Sequence, residues 1–212
     1  MEREDSPKAG RRRRADGEIS RQRILDAATE IAAERGYEGT SIGAVSAKCE
    51  LPASSIYWHF KDKDDLMAAV IERSFGSWLT AWQMPVDGEP ADRVTELAVG
   101  IAKALLDSPD FIRIGLMLAL ERRPVEPRAR TMFLQVRAQT YGQMTEALRE
   151  LAPTLSEAAV RQLVTYAVAG ADGLFIAKEI GGDAVDLIPL FEMHARAVYH
   201  TAMTLIAEED RS

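Results

Sequence analysis

Cysteine is nearly missing from this 212-residue chain. The one present, Cys49, excludes an internal disulfide framework and any cysteine-based zinc site within one chain. Nor is there a run of the roughly 18–20 uncharged apolar residues that a membrane span needs. The best candidate, Leu163 to Ala177, is too short and contains Asp172. The N-terminus is positively charged but no apolar run follows it, so it does not read as a secretory signal. A phosphate-binding Gly loop, a nucleophile elbow and a carboxylate pair in a defined context are all lacking, which argues against an enzyme. His59 has no nucleophile or acid at helical spacing, and His194 and His200 lie six apart, too far round a helix to share a metal. The expectation is a cytoplasmic protein without metal or cofactor.

What the chain does have is ordinary globular composition, 47% hydrophobic and 28% charged. A disordered chain is poorer in apolar residues. The net charge of −7 is unevenly spread. Met1 to Phe75 holds 13 Lys and Arg against 14 Asp and Glu, whereas Gly76 onward holds 13 against 19. The acidity therefore lies mainly in the C-terminal part, and the N-terminal third has local basic clusters at Arg11 to Arg14 and at Lys61 and Lys63.

Residues 1–17 are charged, broken by Pro7, Gly10 and Gly17, and lack an apolar period. They read as a disordered basic arm. From about Ile19 a helical period begins, with Ile24, Ala27, Ala28, Ile31 and Ala32 on one face. Gly36 is expected to end this helix in a left-handed conformation. Thr40 and Ser41 offer hydroxyl caps for a second helix with Ile42, Val45 and Cys49 inward. Glu50-Leu51-Pro52 breaks it, and Ala53 to Lys61 forms a third. Proline and glycine punctuation then divides the remainder into helices near 63–83, 91–107, 109–122, 127–151, 156–180 and 185–208. No stretch alternates as a strand does. The fold class is all-α with about nine helices: a three-helix N-terminal domain over 18–66 and a larger helical domain over 67–212, which the resemblance named below would make the helix-turn-helix domain and the ligand-binding and dimerisation domain.

Two short helices joined by a tight turn suit a helix-turn-helix, whose second helix enters the major groove. On a wheel of 100° per residue, Ala53, Ile56 and Phe60 cluster on the side that must bury. Ser54, Trp58 and Lys61 lie opposite, with Ser55 and Tyr57 on the flanks. Small hydroxyls, a large ring and a cation make a poor solvent face and a sensible groove face. By periodicity alone, Trp58 packing on another part of the chain is an equal alternative.

Ala27-Ala28 through Gly36-Tyr37, then Thr40-Ser41, then Ile56-Tyr57-Trp58-His59-Phe60-Lys61-Asp62-Lys63-Asp64-Asp65-Leu66 resembles the DNA-binding domain of the TetR, or tetracycline-repressor, family. The resemblance covers about residues 20–70. It implies that Ser41 meets a phosphate and that Ser54, Ser55 and Trp58 face base edges. Tyr57 and His59 would touch the backbone, with Lys61 beside them, and Lys63 would bind phosphate at the start of the fourth helix. Two residues depart from the family pattern. Glu50 stands where the turn usually has Gly, and Pro52 stands where the third helix usually has a Ser cap.

The resemblance further implies a dimer through the last two helices, Glu157 to Ile180 and Asp186 to Ala207, reading a palindromic operator. There Ala167, Gly170, Ala171, Gly173 and Ala177 form a small-residue face. It also implies a small, mostly apolar effector that releases a repressor from DNA. Trp78, Trp82, Phe111, Met117, Phe133, Tyr141 and Tyr166 are the candidate lining, with Arg137 and Asp172 as its polar groups. The rival reading is a DNA-binding regulator with no small-molecule effector, either constitutive or controlled by a protein partner.

Overall fold

The computed structural model describes residues 7–79, 84–121, 125, 127–209 and 211, and among them every regular element is helical. In chain order these are α1 (Pro7–Gly39), α2 (Ile42–Cys49), α3 (Ala53–His59), α4 (Lys63–Leu79), α5 (Pro90–Asp107), α6 (Asp110–Leu120), α7 (Arg128–Leu151), α8 (Glu157–Gly181), a 3₁₀ turn (Gly182–Ala184) and α9 (Leu187–Glu209). They fall into two compact units, Met1–Ser74 with Asp110–Leu134, and Phe75–Pro109 with Gln135–Ser212. The units part within α4, after Ser74, and α6, which buries Phe111, Ile112, Ile114 and Leu118, is counted in the first unit.

The first unit is built on α1. Its Ile24, Leu25, Ala28, Ile31 and Ala32 are buried, as are Val45 of α2, Ile56 of α3 and Leu66, Met67, Val70 and Ile71 of α4. Polar ties fix how the helices sit. Arg23 donates to the Cys49 carbonyl at 2.7 Å, pinning α1 to the end of α2. Arg73 donates to Asp26 at 2.6 Å and to Thr29 at 2.8 Å, pinning α4 to α1. Asp64 accepts from the backbone N–H groups of Arg128 and Ala129 at 2.7 and 3.2 Å. A carboxylate there satisfies donors that the first turn of α7 leaves open and complements its dipole.

Three expectations change at α1. The helix starts at Pro7, inside the stretch read as a disordered arm. Pro suits a first helical position, and Lys, Ala and Arg extend an existing helix cheaply even without an apolar face. Gly36 does break the helix, but with φ 68° and ψ −175°, a region open to glycine alone rather than the left-handed helical one. Thr40 does not cap α2. It is fully buried and donates to the Gly36 carbonyl at 2.8 Å, so it closes the end of α1, and Ser41 alone caps α2.

In the second unit α9 packs on α5 and α8. α5 starts with Pro90 at its first position and buries Leu97, Ala98, Ile101, Ala102 and Leu105. α8 is capped by Ser156, whose hydroxyl accepts from the Ala159 N–H at 3.3 Å. It ends where Lys178 donates to the carbonyls of Gly182 and Val185 at 2.9 and 3.0 Å, a cation at the negative helix end. The small residues of α8 do not share one role. Ala167 is buried, and a Cβ at Gly170 would stand 2.2 Å from the His194 ring, so these two serve α9 of the same chain. Gly173 faces open space.

Candidate nucleic-acid interface

The turn between α2 and α3 is held by one residue. The Ser46 carbonyl accepts from the N–H groups of Glu50 and Leu51, and its hydroxyl donates back to the Leu51 carbonyl at 2.6 Å. Sequence reasoning passed over Ser46. Its only signal is a hydroxyl four residues before a helix break. Glu50 sits at φ 53°, ψ 35°, the one non-glycine residue with positive φ among those described. That conformation costs an L-residue about 1–2 kcal/mol. Pro52 precedes α3 with extended backbone and no side-chain cap.

α3 presents two faces over Ala53 to His59, but it stops there: Phe60 is already extended, so Phe60 and Lys61 follow the helix and are not its last turn. Ile56 and Phe60 are buried, and Ala53 is half-buried. Ser54 and Lys61 are exposed, Tyr57 is 56% exposed and Trp58 is 75% exposed. Ser55 and His59 are half-buried beside them. Among the described residues no hydrogen bond occupies the hydroxyl of Ser54 or Ser55, so both remain open to a partner. Trp58 does not pack into the protein body. Its ring stands edge-on to His59, with centroids 4.5 Å apart, and its far edge reaches the space beside Gly17 of α1. Asp16, Gly17 and Ser20 of α1 border an open depression with Ser54, Ser55, Trp58 and His59. This contribution from α1 was not read from the sequence, although Asp16 and Ser20 are one helical turn apart.

Around this face several charged groups already have partners. His59 is held below its ordinary pKa first by burial and then by the positive charge of Arg21, with Glu18 opposing. Arg21 itself lies over the Phe60 ring, 5.5 Å from its centroid. The exposed Ser41 hydroxyl accepts from the Ala44 N–H at 3.1 Å at the start of α2. The Lys61 N–H donates to Asp65 at 3.0 Å, and Asp62 caps α4 by accepting from the Asp65 N–H at 2.8 Å. The Lys63 ammonium stands 3.6 Å from the Glu38 carboxylate and 4.3 Å over the Tyr37 ring. The Tyr37 hydroxyl donates to Asp64 at 3.2 Å.

The residues chosen for a ligand fall in both units. Trp82 lies outside the described residues. Phe111 and Phe133 are buried against one another in the first unit, centroids 5.6 Å apart. Met117, in the same unit, is partly exposed with its methyl group beside Gly36. In the second unit Trp78 is buried, and Arg137 and Asp172 hold each other at 3.1 and 2.5 Å. The Arg137 guanidinium is 5.9 Å from the Tyr141 ring centroid. Burial raises the Asp172 carboxyl above its ordinary pKa, although Arg137 pulls it down. Tyr166 is half exposed beside His194, whose Nε2 donates to the Ala167 carbonyl at 2.8 Å. The bulky side chains fill space and so do not mark where space is left.

Space is left elsewhere in the second unit. A cavity of about 380 Å³ opens between α5, α7, α8 and α9, within the size range of small-molecule sites. Leu97, Met144, Leu148, Leu151, Leu163, Val164 and Val198 make its apolar wall, and Gln143, Glu146 and Glu150 supply polar groups. Of the expected residues, the eight that are described do not line it.

The family model for bacterial regulatory proteins, tetR family, matches residues 24–70, the segment from the apolar face of α1 through the first half of α4. The chain is 29% identical over 97 residues to the HTH-type transcriptional regulator AcrR of Shigella flexneri, covering 44% of this chain and 45% of that one. It is 27% identical over 107 residues to the fatty acid metabolism regulator protein of Bacillus subtilis, covering 50% and 55%. The matches thus span about half the length of these curated relatives. Two solved structures share the fold over most of the chain. One is a transcriptional regulator from Aquifex aeolicus (TM-score 0.67, 19% identity, 85% of this chain and 98% of that one). The other is the fatty acid degradation regulator FadR from Bacillus halodurans (TM-score 0.70, 16% identity, 92% and 96%).

Proposed function

Since the chain belongs to the TetR family of bacterial transcriptional regulators, which are DNA-binding proteins and not enzymes, we propose that it works as a dimeric repressor. It reads a palindromic operator through α3 and leaves it when a small, mostly apolar effector fills the cavity of the second unit. The observation that carries the reading is the outward face of α3, where Ser54, Tyr57 and Trp58 stand free over the buried anchors Ile56 and Phe60. Exposing a tryptophan and a tyrosine side by side forfeits burial worth about 1.5–3 kcal/mol for a large side chain. Seating them in a groove recovers it. Ser41, His59, Lys61 and Lys63 frame that face as backbone contacts.

Pairing through α8 and α9 is supported by their unpartnered surface, where Tyr166, Ile176 and Ile180 of α8 and Met193 and Met203 of α9 are exposed and Gly173 leaves room for a close approach. The small-effector reading is supported by the cavity. By linkage such an effector must bind the DNA-free conformation more tightly than the DNA-bound one. A regulator of this kind works in the cytoplasm.

Binding of Trp58→Ala and Ser55→Ala to operator and to random DNA tests the core of the proposal. Each variant is expected to lose about 1–3 kcal/mol of discrimination between the two. Equal losses on both DNAs would reduce these residues to backbone contacts. Gly173→Leu, followed by sedimentation, tests the assembly. It is expected to shift the protein towards monomer through overpacking of about 1–3 kcal/mol, and an intact dimer would put the interface elsewhere.

A further inference from the structure

The rim of the cavity in the second unit has a charge of one sign. Glu146 and Glu150 lie one turn apart on α7 and both line the opening, with Gln143 a turn before them, whereas no Lys or Arg lines it. The cation between them in sequence, Arg149, is held by Glu157, with Nε and a terminal nitrogen at 3.1 and 2.6 Å, and feels Glu146 only as a weaker charge. The whole unit adds to the field, with 8 Lys and Arg against 16 Asp and Glu. Behind the rim Leu97, Leu163, Val164 and Val198 offer only apolar surface.

We propose that this cavity takes an amphipathic cation, an alkyl or aryl body carrying a quaternary or protonated amine. The body fills the apolar wall and the head rests between Glu146 and Glu150. Two carboxylates at (i, i+4) spacing repel each other, and a cation between them removes that repulsion. A carboxylate head would add a third like charge to the same place, so a free fatty acid is the wrong ligand for this rim. The inference rests on the reading of this cavity as the effector site.

The test is a calorimetric titration of the full chain with three twelve-carbon probes below their micellar concentrations: dodecyltrimethylammonium, dodecanol and dodecanoate. The ammonium is expected to bind about tenfold more tightly than the carboxylate at low salt, the sum of two weak surface pairs, with the preference shrinking as salt is added. The double variant Glu146→Gln/Glu150→Gln should lose that preference and keep its affinity for dodecanol, which also reports that it is folded. Dodecanoate binding as well as the ammonium in the unaltered chain, or a double variant that keeps the preference, overturns the cation proposal and leaves the effector site standing. Failure of all three probes to bind removes the effector site itself.

Discussion

The two compact units divide the charge of the chain unequally. The first holds 18 Lys and Arg against 17 Asp and Glu, a net of +1, and the second holds 8 against 16, a net of −8. They also use polar groups differently. In the first unit buried and half-buried polar groups fix geometry between helices: Arg23 on the end of α2, Arg73 on α1, Ser46 across the turn, Asp64 on the start of α7. In the second unit the contacts between helices are mostly apolar, and they leave a cavity. The difference suits the two tasks proposed for the units. A surface that reads DNA needs side chains held at fixed positions, whereas a site for a small molecule needs unfilled volume and tolerates looser walls.

The exception in the second unit offers the largest effect. Arg137 and Asp172 form a two-point ion pair between α7 and α8 with side chains only 15% and 22% exposed. Replacing Arg137 with Leu leaves a desolvated carboxylate and is expected to cost about 3 kcal/mol, whereas Arg137→Leu with Asp172→Leu should recover most of that. Urea unfolding of the two variants measures both values. A double variant no better than the single would mean that the pair is more than a compensated burial.

In the first unit the corresponding strain is Glu50. Glu50→Gly relieves a left-handed residue and is expected to raise stability by about 1 kcal/mol, less than the full conformational cost because glycine is also freer when unfolded. It also removes an anion beside α3, so DNA affinity should rise at low salt. Thermal melts that do not move would show that the turn holds Glu50 without strain.

How far each unit was legible in the sequence follows from the same contrast. The helix-turn-helix depends on local spacing, so Ile56 and Phe60 beneath Trp58, the Ser41 cap and the end of α2 at Glu50 could all be read from neighbours in the chain. Most helix limits in the second unit were equally plain from Pro90, Pro109 and the Gly181-Gly182 pair. The cavity was not. A void lies where side chains from four helices fail to meet, and no single helix records that. Choosing by bulk selected Phe111 and Phe133, which fill each other's space. Gly170 and Gly173 look alike in sequence, and only the placement of His194 shows that one is used within the chain and the other faces outward. The helix from Pro7 was missed because a polar helix has no apolar period to announce it.

A smaller effect concerns pH at the reading face. His59 has its pKa lowered by burial and then by Arg21. Between that lowered value and the ordinary one near 6.5 the unfolded chain binds more protons than the folded one. The contribution of His59 to stability is therefore full above the ordinary value and is lost as pH falls through it towards the folded value. His59→Gln should flatten stability against pH across that window. In the parent chain DNA should draw a proton onto His59 if the ring meets a phosphate, so affinity should rise as pH falls. An operator affinity with the same pH profile in both proteins would separate His59 from the backbone contact.

The smallest effect tests whether the charges of the first unit are spent on the fold or held for DNA. Lys63 is poised at the start of α4, yet its ammonium is shared between Glu38 and the Tyr37 ring. Glu38 is 67% exposed, so the pair is worth about 0.2–1 kcal/mol at most and weakens with salt. If Lys63 serves a phosphate, it must leave Glu38 or share its protons, and Glu38 then competes with DNA. Glu38→Gln should raise affinity for operator and random DNA alike, by a few-fold, with little change in melting temperature. Lys63→Ala should lower affinity for both and reduce the slope of log affinity against log salt by about one unit, the counterion released by one phosphate contact. Made in the Lys63→Ala background, Glu38→Gln should then do almost nothing, because the competitor has lost the group it competes for. Were Glu38→Gln to strengthen binding equally with and without Lys63, its effect would be that of a distant charge, and Lys63 would belong to the fold of the first unit and not to its interface.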